Sequence, residues 1–488
     1  MLRLLLVGAY FVSVLLSIPR RPTGFLLWLV LPAMILLDLR CSLRGFWFSF
    51  ILIPPFLLAC HRTLGAGGKV TLKGAPLLCI LQAGWANLHG EFLWGLVIAA
   101  LFAIEGAGCA LRSGTLTRAD WLTRGALLAA LCLACLLTPF GSGLLLGILA
   151  ESSLVAFRPV STEWLPFARF AQPLGWSAWI LFTALVAAAL YLGRRTLSVG
   201  CLLLTVFFAL LSLRSIRFIG PYALVGIYTA MFHINSAPNL PGIPWWLPRF
   251  ARVGAAAGFF FLTWSVCTDR FWHWQAELKR FGSGMITSEL PVLSSEYLAK
   301  TQVEGNFLND WSYGGFLTWH LFPRILTAED GRTAPFPPEL SQQISAIYRG
   351  DAEALRIFDQ DYPLDGAVIP WNYGTVTGLL AADPGWALLF IGPHSTVWMK
   401  KASIAAQGKP HLELTEPSLR EFVVTEPQGV FDSEPWLTYS TFLCRRALVF
   451  IRIGRTDFAR EIHETMKTAN PSEPILIDRV GALLAEAE

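Results

Sequence analysis

Charge is scarce in this sequence. Only 15% of its 488 residues are Asp, Glu, Lys or Arg, against about a quarter in ordinary globular domains, which excludes a conventional water-soluble chain. Nor does one sign dominate. The net charge of +4 is spread along the chain and forms no basic stripe, so nucleic acid is not an expected partner. Cysteine is present but without a framework: the nine residues show no spacing suited to a metal cage or a set of disulfides. Cys132 and Cys135 make a C-x-x-C inside the apolar run "ALLAALCLACLLTPF". Helical packing is favoured there over a redox pair, which needs an accessible thiolate. No metal cluster, phosphate loop or nucleophile-base pair is visible in the polar C-terminal part, so no cofactor is expected and no ligand set supports a divalent metal.

Apolar sequence is what the chain has in excess. Hydrophobic residues make up 54% of it and the mean hydropathy is +0.52, the composition of a membrane protein. Apolar runs fall near residues 2–18, 24–39, 45–60, 74–88, 90–111, 122–139, 176–193, 197–213, 216–233 and 251–268, read as helices that cross roughly 30 Å of hydrocarbon. From about Arg270 onward the sequence becomes charged and mixed. The expected fold is mainly α: a polytopic membrane domain of about ten transmembrane helices over 1–270, an α/β domain over 285–402, and a helical-hairpin, repeat-like tail over 415–488.

Loop charges set the expected orientation. One side collects Arg20, Arg21, Arg62, Lys69, Lys73, Arg112, Arg118, Arg124, Arg194, Arg195, Arg249 and Arg252, and the other Arg40, Arg44, Arg158, Arg169, Arg214 and Arg217. The richer side belongs in the cytoplasm, so both termini and the C-terminal domain face outward from the plasma (inner) membrane. Residues 1–18 are not read as a signal peptide, since "SIPRRP" is no small-residue cleavage site.

This orientation gathers the unusual polar residues on the outer side. His89 and Glu91 in "WANLHGEF" are either a polar hairpin turn or an imidazole and a carboxylate at the mouth of a cavity, where an ionisable group is expensive unless used. Glu163 and Trp164 are either an interfacial anchor or a substrate contact. Arg214 and Arg217, at i and i+3, are expected on one helix face, where they either snorkel to headgroups or clamp a lipid phosphate. The candidate acids and base are thus Glu91, His89 and Glu163, with Arg214, Arg217 and Trp164 as candidate substrate contacts and membrane lipid as the expected partner.

"GWANLHGEFLWG", "LLTPFGSGLL", "STEWLP", "LRSIRF" and "FLNDWSYGGFLTWHLFPRILTAEDGR" occur in an order that resembles a family of bacterial polytopic membrane proteins related to GT-C glycosyltransferases, the oligosaccharyltransferase and mannosyltransferase-like superfamily. The resemblance covers most of residues 75–400 and implies transfer of a sugar from a polyprenyl-phosphate carrier on the outer membrane face. It implies a cationic phosphate site and an outward carboxylate base, roles that Arg214, Arg217 and Glu91 fit. Asp310, Tyr313 and Gly314 also match a W-W-D-Y-G element of oligosaccharyltransferase catalytic subunits, although Trp311 follows the acid instead of preceding it. The chain departs from the GT-C pattern at its start, where no acidic outward loop lies in the first 60 residues and Asp38 is flanked by arginines. An odd number of leading helices is expected to be absent. The alternative is a non-catalytic accessory protein whose outward domain binds a glycan or a protein.

In the polar part, "GNFLND" and "RILTAEDGR" read as strands around a helix in "GGFLTWHLF", "DGAVIPW" as a further strand, and "WALLFIGPHSTVWMKK" as a hairpin turning near Gly392 and Pro393. Gly314 and Gly315 are expected to give a sharp turn from strand to helix, with Asp310 as its cap. The functional alternative is a cleft lined by Asp310, Tyr313, Asp330 and Arg332.

Overall fold

Each of the ten apolar runs folds as a helix in the computed structural model, which describes residues 2–17, 24–39, 44–65, 70–153, 164–170, 173–236, 247–274, 281–282, 290–332, 338–424, 439–469 and 474–487. Their lengths correct the expectation of ten spans. Among the described residues four helices are long and apolar enough to cross a membrane: Phe46–Gly65, Gly90–Arg112, Leu174–Leu192 and Phe250–Cys267. The helices Leu2–Ser17, Gly24–Asp38, Ala75–Leu88 and Val199–Arg214 have 16, 15, 14 and 16 residues. At 1.5 Å per residue these rise about 21–24 Å, short of the roughly 30 Å of a bilayer core.

The chain divides into two units, Met1–Phe281 and Gly282–Glu488. Among the described residues the first is all-helical. Its innermost element is Ile219–Ser236, buried on every face from Ile219 to Met231, as a helix apolar all round must be. Glycine allows the close approach: a methyl at Gly220 would lie 2.0 Å from the Phe50 ring and one at Gly226 2.6 Å from Phe182. Small residues at such crossings let large neighbours interdigitate.

The second unit is built on a five-stranded sheet in the order β2-β1-β3-β5-β4, with β1 at Gly305–Asn309, β2 at Ile325–Thr327, β3 at Gly366–Pro370, β4 at Trp386–Ile391 and β5 at Ser395–Lys400. β2, β1 and β3 are parallel, and the β4–β5 hairpin adds an antiparallel edge. Alternation along the strands feeds two cores. Leu308, Ala367, Ile369 and Trp398 point to one face, shared with Phe358, Phe450, Phe458 and Met466 of the helices. Phe307, Val368, Val397 and Met399 point to the other, against Leu298, Tyr313 and Leu317. All five residues of β3 are buried, the expected state of a strand covered on both faces. The C-terminal helices Tyr439–Arg452, Thr456–Ala469 and Pro474–Ala487 share the first of these cores.

Candidate functional site

Two polar centres form, one in each unit. The first lies where helix Ala75–Leu88 gives way to Leu93–Arg112. His89 is extended at the end of the first helix, and a single 3-10 turn, Gly90–Phe92, places Glu91 at the start of the second, where the helix dipole favours an anion. Glu91 is 5% exposed. Arg217 Nε lies 3.3 Å from its Oε1 and His89 Nδ1 3.7 Å from its Oε2. The Arg217 guanidinium also lies over the Trp164 ring, 4.9 Å from its centroid. Trp85 Nε1 donates to Ser49 Oγ at 2.8 Å, and Ser49 Oγ is 2.8 Å from His89 Nδ1. With Trp85 as donor, the serine proton can go to Nδ1, which sets a neutral imidazole as its Nε2–H tautomer. Protonation of His89 would turn its Glu91 contact into a charge pair.

The structure thus brings together Glu91, His89, Arg217 and Trp164. It separates Arg214 from them. The helix Val199–Arg214 ends at Arg214, Ser215 is extended, and its Oγ accepts from Arg217 N to open a new 3-10 turn. The two arginines therefore do not share one helix face, and Arg214 is exposed. Glu163 lies outside the described residues. Ser49 and Trp85 carry the imidazole and are inconspicuous in the sequence because each sits in an apolar run.

The second centre lies outside the C-terminal ends of the parallel strands. Asp310 follows β1 and caps the helix Trp311–Leu321, its Oδ1 accepting from Ser312 N at 2.8 Å. That helix begins before the two glycines, so they do not make the strand-to-helix turn. Gly314 instead permits a close approach. A methyl there would lie 1.9 Å from Glu329 O and 2.7 Å from Asp330 Cα, so its lack of a side chain lets the backbone after β2 pass against the helix. Asn309 fastens the same segment, donating to Glu329 O at 2.8 Å and accepting from Ala328 N at 2.9 Å.

Glu329 and Asp310 face each other across this edge. Burial, then the charge of Asp310, pushes the Glu329 carboxyl up to about 7. Ser341 Oγ donates to Glu329 Oε2 at 3.3 Å. Tyr373, in the turn after β3, donates to Asp310 Oδ2 at 3.2 Å, and burial and that carboxylate raise its phenol to about 12. Tyr348 stacks edgewise on Tyr373 with centroids 4.5 Å apart. Asp330 is turned aside into a bidentate pair with exposed Arg332, which holds its carboxyl below the usual range although burial opposes this. Tyr313 also points away, donating to His394 O at 3.0 Å. Of the four residues expected in a cleft, Asp310 lines this centre, joined by Glu329, Tyr348 and Tyr373, while Asp330 reaches Glu329 only through its charge. Glu329, Tyr348 and Tyr373 carry no pattern in the sequence that would single them out, and the two tyrosines are far from Asp310 along the chain.

No family model matches the chain, and no curated protein matches it.

Proposed function

We propose that the protein is an integral membrane glycosyltransferase of the GT-C kind, or a diverged relative, that uses a polyprenyl-phosphate-linked sugar, with the Glu91 centre as its reaction site. The observation that carries this reading is a water-shielded carboxylate at the start of a membrane-length helix, meeting a guanidinium and an imidazole. Transfer forms a bond from the acceptor oxygen to the sugar's anomeric carbon and breaks the bond from that carbon to the carrier phosphate. A base must take the acceptor proton, a role for Glu91 or His89. A cation must meet the charge that grows on the phosphate, a role for Arg217, whose Nε holds Glu91 and whose two amino groups can fork onto an anion.

On this reading the chain is multi-pass in the plasma membrane, with residues 282–488 extracytoplasmic. Cysteine at exposed Gln342 should then label from outside intact cells and cysteine at exposed Thr196 should not. The reaction itself is tested on protein purified with its lipids. Mass spectrometry should find bound polyprenyl-phosphate, Arg217→Lys should lose most of it, and Glu91→Gln should keep it while abolishing transfer. Full retention by Arg217→Lys sinks the assignment. The second reading, a non-catalytic accessory protein, is favoured by the polar cluster of the second unit and predicts no turnover in any variant.

A further inference from the structure

The polar centre of the second unit has a charge imbalance that its own residues leave in place. Strand order 2-1-3 sends the chain to opposite sides of β1, and in such open sheets ligands bind outside the carboxyl ends of the strands at this switch. Asp310 sits there. Beside it is Glu329, 6% exposed, and among the described residues neither carboxylate meets a lysine or arginine. The groups that face Glu329 are Asp310 from the end of β1, Asp330 on its own segment, Ser341 and Tyr348 from the helix Pro338–Tyr348, and Tyr373 from the turn after β3. None is cationic. Arg332 is committed to Asp330.

A second, independent observation points to a ligand. Tyr348 is only 9% exposed, its hydroxyl is buried without a hydrogen-bond partner among the described residues, and it feels the charges of both Asp310 and Glu329. A buried hydroxyl left unpaired is destabilising, so a ligand group that meets it gains affinity. We propose that this cluster binds the protonated amine of a small polar molecule, its N–H groups directed to the Asp310 and Glu329 carboxylates and the Tyr348 hydroxyl. Three donors on one nitrogen match three acceptors. The Tyr348 and Tyr373 rings, set edge to face, add the aromatic surface that an ammonium prefers to a neutral hydroxyl. A proton on Glu329 relieves the same repulsion in the empty site, so the amine and that proton compete.

Amine binding in the second unit is independent of sugar transfer, and its test involves no turnover. Full-length protein in detergent is titrated calorimetrically with ethanolamine and with ethylene glycol, its uncharged counterpart, at pH 6 and pH 8. Ethanolamine should bind and ethylene glycol should not, with affinity about tenfold higher at pH 8, where Glu329 no longer has to shed a proton. In two buffers of different ionisation heat, binding at pH 6 should release about one proton. Glu329→Gln should abolish the pH dependence and weaken binding about tenfold or more, and Tyr348→Phe should weaken it several-fold. Equal binding of ethylene glycol, pH-independent binding, or no heat from ethanolamine at either pH would each overturn the proposal, and these three need no variant to fold.

Discussion

Glu91 and Glu329 are withdrawn from water to nearly the same degree, 5% and 6% exposed, yet keep opposite company. Glu91 meets an arginine and an imidazole, whereas Glu329 meets another carboxylate and hydroxyls. Burial penalises the charged form in both places, so the neighbours decide what each acid does. In the helical unit the compensating charge is built in. In the α/β unit the compensation is a proton or whatever cation arrives. A buried acid by itself therefore says little about function; its neighbours say more.

The largest effect should come from breaking the built-in pair. Arg217→Met leaves Glu91 buried beside an apolar side chain, and removing one partner of a buried pair costs on the order of 3 kcal/mol. Chemical unfolding in detergent should show that loss, and Glu91→Gln with Arg217→Met should restore most of it. If the single variant is as stable as the parent, Arg217 does not compensate Glu91 and the contrast between the two acids fails.

The second comparison is between neighbouring glycines. Gly314→Ala forces a methyl into the Glu329 carbonyl, an overpacking that costs about 2–3 kcal/mol and should lower hydrogen-exchange protection in β1 and β2. Gly315→Ala meets nothing within 4 Å and should stabilise its exposed helix position by up to about 1 kcal/mol. Equal effects would show that the backbone after β2 does not lie against this helix in solution.

These two glycines also show what the sequence could and could not reveal. It disclosed the strands around Phe307, Val368 and Trp398, the hairpin at Gly392 and Pro393, and the capping role of Asp310, because those follow from local alternation and turn chemistry. It did not distinguish Gly314 from Gly315, since only the packed segment after β2 separates them. The one-face arginine pair was lost at Ser215, where one extended residue ends a helix before Arg217, and the ten spans were lost to helices that are apolar but short. Glu91, His89, Arg217 and Trp164 were legible as isolated oddities in apolar sequence. Glu329, Tyr348 and Tyr373 were not, because a charged or aromatic residue in a mixed domain is ordinary until the fold assembles it.

A third test turns on pH. The Glu329 carboxyl stands at about 7 in the folded chain against an ordinary value of 4.5. The proton is held more tightly folded than unfolded, so this contribution to stability is full below about pH 4.5 and is lost as pH rises through 7. Glu329→Gln should flatten that window and, above pH 7, leave the second unit more stable than the parent by on the order of 2 kcal/mol. Hydrogen exchange of β1 at matched intrinsic rates measures it. A parent profile flat from pH 5 to pH 8 would mean Glu329 has a compensating partner after all.

The smallest effect concerns two phenols in the same unit. Tyr313 donates to His394 O at 3.0 Å, while the Tyr348 hydroxyl is buried without a partner among the described residues. Removing a made bond and removing an unmade one should differ in sign. Tyr313→Phe removes one of two donors to the His394 carbonyl, which keeps Trp371 N at 3.0 Å, and should cost up to about 1 kcal/mol. Tyr348→Phe relieves a polar atom held in an apolar setting and should leave the ligand-free chain unchanged or stabilised by less than about 1 kcal/mol. Adding ethanolamine should reverse the second result, because the parent then has a use for the hydroxyl and the phenylalanine variant does not. Hydrogen exchange of β1 and β3, measured with and without the amine, reads all four states. If Tyr348→Phe destabilises the ligand-free chain as Tyr313→Phe does, the hydroxyl already has a partner in solution. The cluster would then be an acid pair closed by its own residues, and Glu329 would be as fully compensated as Glu91.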